Sequence, residues 1–321
     1  MKLLFTAITI LFASFSFAQR HNVYFLKNNG KYVDVRDSAD YIRMVSEPDT
    51  GSVLYNVAEY YLNGNRKLIG KSSKIDPPRY EGQCASFYKN GTRSRLDNYK
   101  DGLNIGDEYE FYPSGKLYLV REYPDNNNLY NDLNGNYLIK TEYDSVGTVM
   151  VEDGNGHCKE YDAEFKNIIE EGNLKSGKRD GVWKGYFKNV QTNFTENYKN
   201  GILIDGTATF ADGKTGLYTK FRGSSPQFKS GLDAFYRYLG NQINYPTEER
   251  KKNIQGVVAI TFVVEKNGKI ADIKVVKSVS PGIDNEAVRV IENSPTWVPG
   301  TMFGQTARVV YSVPINFALT N

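Results

Sequence analysis

The chain has 321 residues and carries 40 Lys and Arg against 37 Asp and Glu, a net charge of +3. That balance gives no support to a polyanionic partner, so nucleic acid is not expected. The 24 Tyr, 17 Phe and 29 Gly beside only 4 Met favour many short strands with aromatic faces and glycine turns over helices, and the length allows two ordinary domains.

Residues 1–18, MKLLFTAITILFASFSFA, place one Lys before an apolar run and end on Ser16-Phe17-Ala18 ahead of Gln19. This pattern predicts a cleavable export signal, with small residues at the cleavage positions. The rival reading is an uncleaved anchor, but Leu3 to Ala18 is 16 residues, short of the roughly 20 that span a bilayer. No Cys follows the cleavage point, so lipid attachment there is not expected. The mature protein is expected in solution outside the cytoplasm.

A repeat follows. Gly82-Gln83-Cys84-Ala85-Ser86-Phe87-Tyr88-Lys89-Asn90-Gly91 aligns with Gly106-Asp107-Glu108-Tyr109-Glu110-Phe111-Tyr112-Pro113-Ser114-Gly115, and further copies start at Gly156, Gly181 and Gly206. Gly135 with Tyr137 loosely marks one more unit between Gly106 and Gly156. Asn98-Tyr99-Lys100-Asp101-Gly102 recurs as Asn197-Tyr198-Lys199-Asn200-Gly201, and Tyr61-Leu62-Asn63-Gly64 is an earlier copy. A unit of about 24 residues with two aromatic strand segments and two Asn-Gly or Asp-Gly turns is one β-hairpin with its connection. The segment Gly181 to Phe187, with Trp183, Tyr186 and Phe187, and the Tyr-x-x-Gly stretches between copies resemble MORN-type repeats over residues 55 to 215. An elongated sheet of hairpins is therefore expected over 19–222, with 19–54 as an atypical cap around the hairpin-like stretch from Tyr24 to Val33.

Cys84 and Cys158 are the only cysteines, and both stand two residues after a repeat glycine. Three units of two strands put them on the order of 29 Å apart, far beyond the roughly 7 Å a disulfide allows. The phase thus predicts that they are not bridged and fill the slot that Trp183 fills in its own unit. The aromatic ladders read as core, with no charged cluster superposed on them.

Past Gly223-Ser224-Ser225-Pro226 the pattern changes, and Phe235, Leu239 and Ile243 share a face of a helix over Leu232 to Ile243. Tyr245-Pro246 ends it, and Thr247 is expected to cap a short helix from Glu248 to Asn253. Val258, Ile260, Phe262 and Val264 alternate along a strand that turns at Asn267-Gly268, a two-residue turn with positive φ at both positions, and returns from Ile270 to Lys277. A second core-facing helix is predicted over Asp284 to Asn293, then a turn with a buried indole at Trp297, then a last strand from Arg308 to Ala318. Pro314 has no N–H for a ladder, so this strand belongs at a sheet edge. Two helices on one side of a three-stranded antiparallel sheet follow, an α+β sandwich over 228–321 behind a mainly β repeat.

These residues resemble, in order and spacing, the carboxy-terminal domain of TonB. The resemblance rests on Tyr245-Pro246, Gly256-Val257-Val258, Phe262, Asn267-Gly268, Val275 with Ser278, Trp297-Val298-Pro299-Gly300 and Val313-Pro314-Ile315-Asn316-Phe317. The whole layout is similar to exported energy-transducer-like proteins of Bacteroidetes type. The resemblance implies a periplasmic protein whose last domain takes an extended segment of an outer-membrane TonB-dependent receptor, the TonB box, as an added strand. It implies that Gln242, Tyr245, Val309, Val310, Tyr311, Ser312, Val313, Ile315 and Asn316 meet that peptide. Unlike TonB, the chain has no Pro-rich spacer, and inner-membrane motor proteins become partners only if the leader stays uncleaved. The alternative is a non-energised periplasmic scaffold that binds envelope proteins through its repeats.

Catalysis is not expected. His21 and His157 lie in no cluster with acidic residues, so neither a metal site nor a His-based triad is indicated, no glycine-rich segment forms a phosphate loop, and no cofactor is implied. The Asp and Glu side chains, spread through turns, read as solvated charge.

Overall fold

A computed structural model describes residues 21–128 and 136–319. The export-signal segment 1–18 and the repeat marker Gly135 lie outside the described residues. With 51% strand and 12% helix, the protein has the strand majority that its composition favours. Its residues form two compact units. The first runs up to Cys158 with Ala163–Lys166 and Leu174–Lys178, and the second holds Lys159–Asp162, Asn167–Asn173 and Arg179 onward.

The first unit is an antiparallel series in which neighbours along the chain pair. Tyr41–Ser46, Tyr55–Tyr61, Arg66–Ser72, Tyr80–Phe87 and Arg93–Lys100 follow one another, and Gly106–Phe111, Leu117–Tyr123 and Leu138–Tyr143 continue the series. At its start His21–Leu26 pairs with both Tyr32–Val33 and Tyr41–Ser46.

Two kinds of turn alternate. At Asp101-Gly102 both residues have positive φ, 56° and 80°, in a two-residue loop closed by Lys100 and Leu103; Asp and Gly tolerate this left-handed geometry. Tyr61-Leu62-Asn63-Gly64 is not a copy of the element from Asn98 to Gly102 as the sequence suggested, because its loop is longer and has the hydrogen bonds of the loop from Tyr88 to Gly91. The Tyr61 N–H donates to the Asn65 carbonyl at 2.9 Å and the Gly64 N–H donates to the Tyr61 carbonyl at 2.9 Å.

The turn tyrosines then stitch one hairpin to the next. Their hydroxyls donate from Tyr61 to the Phe87 carbonyl at 2.8 Å, from Tyr88 to Phe111 at 2.5 Å and from Tyr112 to Tyr143 at 2.9 Å. This explains why a Tyr precedes each turn by a fixed interval.

The position two after the repeat glycine is buried in five copies, at Cys84, Glu108, Cys158, Trp183 and Ala208, while Tyr137 of the loosely marked unit is only partly buried. The two cysteines are not bridged. A Cβ on Gly172 would run into the Trp183 indole, so glycine on the facing strand makes room for the large occupant.

The charge on this face is a correction to the sequence analysis. Glu59, Asp97, Glu108, Glu142 and Glu196 are buried rather than solvated. Burial is tolerable because bases meet the carboxylates. Arg43 and Lys67 reach Glu59 at 2.9 and 2.6 Å, Arg95 reaches Asp97 at 2.9 Å, and Arg121 reaches Glu108 at 2.7 Å.

In the second unit, the strand Lys178–Phe187 from Arg179 onward, Thr192–Lys199, Ile202–Thr209 and Thr215–Tyr218 form an antiparallel meander. The C-terminal domain follows, with helices α1 (Leu232–Gln242), α2 (Thr247–Lys251) and α3 (Pro281–Glu292). The strands of its sheet are β1 (Gly256–Val264), β2 (Ile270–Lys277) and β3 (Val309–Phe317), in the order β2-β1-β3. Phe235 and Leu239 of α1 and Ile283, Ala287, Val290 and Ile291 of α3 pack with Ile260, Phe262, Trp297 and Ile315 in one apolar core.

Three local expectations shift. Pro246, not Thr247, stands at the N-cap of α2 and offers no side-chain cap. Helix α3 begins at Pro281, earlier than its apolar spacing indicated, because the Ser280 hydroxyl accepts the Ile283 N–H and proline suits the first helical position. The β1–β2 turn is a three-residue loop: Glu265 N–H donates to the Lys269 carbonyl at 2.8 Å, and only Gly268, at φ 79°, takes the left-handed conformation. Gly268 is further fixed by its carbonyl, which accepts the Trp297 N–H at 2.9 Å.

Candidate docking edge

Strand β3 pairs with β1 in unbroken register from Gly256↔Phe317 to Val264↔Val309. No strand pairs with its other flank among the described residues. The direction of its backbone groups follows from the turn. Glu265 bonds toward β2, and the bulges of the β1–β2 ladder fall on β2, where Asp272 has positive φ. Alternation along β1 then aims Val258, Ile260, Phe262 and Val264 at β3. Their partners Ile315, Val313, Tyr311 and Val309 face β1 in return. Val310, Ser312, Pro314 and Asn316 therefore turn their main-chain groups to the open flank. A proline costs the β1 ladder nothing at this parity, and it blunts an edge that would otherwise recruit other strands.

Side chains divide the same way. Val313, Ile315 and Phe317 are buried in the core, while Ser312, Pro314 and Asn316 are exposed and Val310 is 65% exposed. Arg308, just ahead of β3, pairs with Glu265 at 2.7 Å and with Asp272, which ties the start of the edge strand to the far end of β1 and to β2.

The other residues implied by the resemblance sit differently. Tyr245 lies edge-on to Phe317 at 5.9 Å and donates its hydroxyl to the Ile254 carbonyl at 2.5 Å, so it packs the end of β3. Gln242 is the exposed last residue of α1, and its carbonyl accepts from Arg289 of α3 at 2.7 Å. Hydrogen bonds from Arg289, working against burial, hold the Glu286 carboxyl below the usual range, and Glu286 in turn accepts the Asn244 N–H at 2.6 Å.

The connection into this domain is stapled rather than loose. Arg222 donates to Glu196 at 2.7 and 2.6 Å and to Glu170 at 2.6 and 2.8 Å, with its guanidinium over the Phe194 ring at 4.3 Å. Burial alone would raise the Glu170 carboxyl, but its bonds to Arg222 and the charge of Arg179 outweigh it, so Glu170 stays below its usual range. The Arg222 carbonyl accepts the Phe303 N–H at 2.5 Å, and Gly223–Ser224 pairs with Thr301–Met302. Phe303 is fully buried against Phe187, Phe194 and Tyr218, with ring centroids 5.5 to 5.6 Å away. The segment Gly300-Thr301-Met302-Phe303-Gly304 is among the glycine-rich stretches that form no phosphate loop, and its packing role was not foreseen. Its useful signal was a large aromatic between two glycines.

The first unit holds an open groove of about 450 Å³ lined by Ala58, Tyr60, Ile69, Ala85, Lys71 and Gln83 among others. Among the described residues no group of three or more His, Cys, Asp or Glu could hold a metal ion, and no helix is long and apolar enough to cross a membrane.

Residues 241–319 match the family model of the Gram-negative bacterial TonB protein C-terminal domain. The matched span begins at the end of α1 and takes in all three strands, the edge included. Energy coupling for transport in the cell envelope is the broad function that this TonB-type domain suggests. Comparison with curated proteins returns no match.

Proposed function

We propose that the C-terminal domain docks an extended periplasmic segment of an outer-membrane TonB-dependent receptor on the open flank of β3, within an exported transport protein of the envelope. The observation that carries this is the unpaired flank itself, where Val310, Ser312 and Asn316 offer N–H groups and all four outward residues offer carbonyls. Main-chain pairing supplies affinity, and the exposed Val310, Ser312 and Asn316 side chains supply selection among peptides. Tyr311, Val313 and Ile315 hold the edge straight from inside the core, and Tyr245 braces its end. If the leader is retained in the membrane, the MORN-like hairpins serve as a strut in place of a spacer, a role that the joint at Arg222 and Phe303 supports. Coupling to inner-membrane motor proteins belongs to this proposal only with a retained leader.

The test is a site-directed crosslink. Cysteine at Ser312 should form a disulfide with a cysteine in the periplasmic N-terminal segment of such a receptor, while cysteine at Lys274 on the opposite edge should not. Cys84 and Cys158 are buried and leave the background low. Equal crosslinking from both positions would reject the assignment.

A further inference from the structure

The open flank of β3 is not a uniform template. Residues 310, 312, 314 and 316 face outward, and position 314 alone has no N–H. In an antiparallel pairing each outward residue exchanges both its N–H and its C=O with one residue of the incoming strand; in a parallel pairing it bonds the two residues flanking its neighbour. In either direction the peptide carbonyl that arrives at position 314 finds no donor. The gap lies inside the edge, with Val310 and Ser312 on one side of it and Asn316 on the other.

We propose that Pro314 is a specificity-determining residue of the docking edge, making Val310 to Ser312 the anchoring stretch and fixing the register in which a peptide lies. This rests on the docking proposal above. A register that ends short of 314 keeps every main-chain bond at Val310 and Ser312, whereas any register that crosses 314 leaves one peptide carbonyl without a donor, so registers that are alike on a gapless edge become unequal here. The exposed Val310 and Ser312 side chains beside the complete pair of donors make that stretch the place where side-chain selection and backbone pairing coincide. Beyond the gap Asn316 contributes a separate, weaker hold.

The experiment uses the full chain and a fluorescent synthetic peptide of about ten residues, copied from the receptor segment captured by the Ser312 crosslink. Pro314→Ala restores the missing donor, and one net hydrogen bond tightens binding about two- to tenfold. In the bound state the new amide at 314 is protected from exchange, and the peptide populates more than one register. Asn316→Pro removes an outward donor without touching the β1 ladder and weakens binding by a similar factor, and the double variant P314A/N316P returns toward the starting affinity with the gap moved. An unchanged melting temperature shows that each variant is folded. Failure of the unsubstituted chain to bind the peptide overturns the docking proposal and this inference with it. Binding that is intact but unaltered, or weakened, in folded P314A overturns this inference alone.

Discussion

The C-terminal domain and the hairpin series bury opposite chemistries. The domain closes over Phe235, Ile260, Phe262, Ile283, Trp297 and Ile315, an interior without an ionised group. The hairpins put Glu59, Asp97, Glu108 and Glu196 on their inner face and neutralise them with Arg and Lys. Apolar packing is undirected and asks only for shape and volume. Ion pairs at fixed spacing instead specify which strand lies beside which, at the risk that removal of one partner strands a buried charge. A sheet built from similar hairpins needs such labels more than a small domain with two helices to set its register.

The largest expected effect that would break this contrast is Arg222→Ala, which leaves Glu196 and Glu170 short of their common partner. A loss of about 3–5 kcal/mol in unfolding free energy is expected, comparable to the ~2–5 kcal/mol for Ile260→Ala in the apolar core. Denaturant unfolding measures both. A cost for R222A below about 1 kcal/mol would mean that the charges are bystanders.

Next in size is a pH effect confined to the hairpins. Burial, reinforced by Glu108 and opposed by Arg95, pushes the Asp97 carboxyl up to about 7 from 3.8. The folded state therefore holds this proton more tightly than the unfolded chain. The stability it contributes is complete below the unfolded pKa and is lost as pH rises through about 7. Against Asp97→Asn, the unsubstituted protein should lose on the order of 2 kcal/mol between pH 4 and pH 8. Parallel unfolding curves for the two proteins across that range would contradict the assignment.

The smallest effect sharpens the picture of the turns. Tyr88→Phe keeps the ring and deletes only the hydroxyl bonded to the Phe111 carbonyl, for about 0.5–1.5 kcal/mol. The same change at Tyr186, half exposed on the opposite face, should cost less.

How far the sequence could be read follows the same divide. Alternation at Val258, Ile260, Phe262 and Val264 and the proline inside the last strand made the apolar sheet and its edge legible, because burial and a missing N–H leave local marks. The glycine phase made the hairpins legible as well. The buried acids were not, because a carboxylate beside Tyr and an Asn-Gly turn looks solvated when taken singly. The mark was a recurrence: Glu59, Asp97 and Glu196 each stand two residues before a Tyr near the end of their strand. The start of α3 was missed because its signal is the cap Ser280-Pro281, not its apolar spacing, and Phe303 because a two-strand contact made by a loop has no periodicity at all. Gln242 and Tyr245 came from resemblance, and their positions show a helix end and a packing ring beside the edge.

Docking depends most on the open flank of β3, and amide hydrogen exchange of the free full-length chain, resolved by residue, is its sharpest test. The N–H groups of Tyr311, Val313 and Ile315 should exchange slowly because they face β1, while those of Val310, Ser312 and Asn316 should exchange orders of magnitude faster. Slow exchange at all six positions in the absence of any partner would show the flank already occupied and contradict the docking proposal.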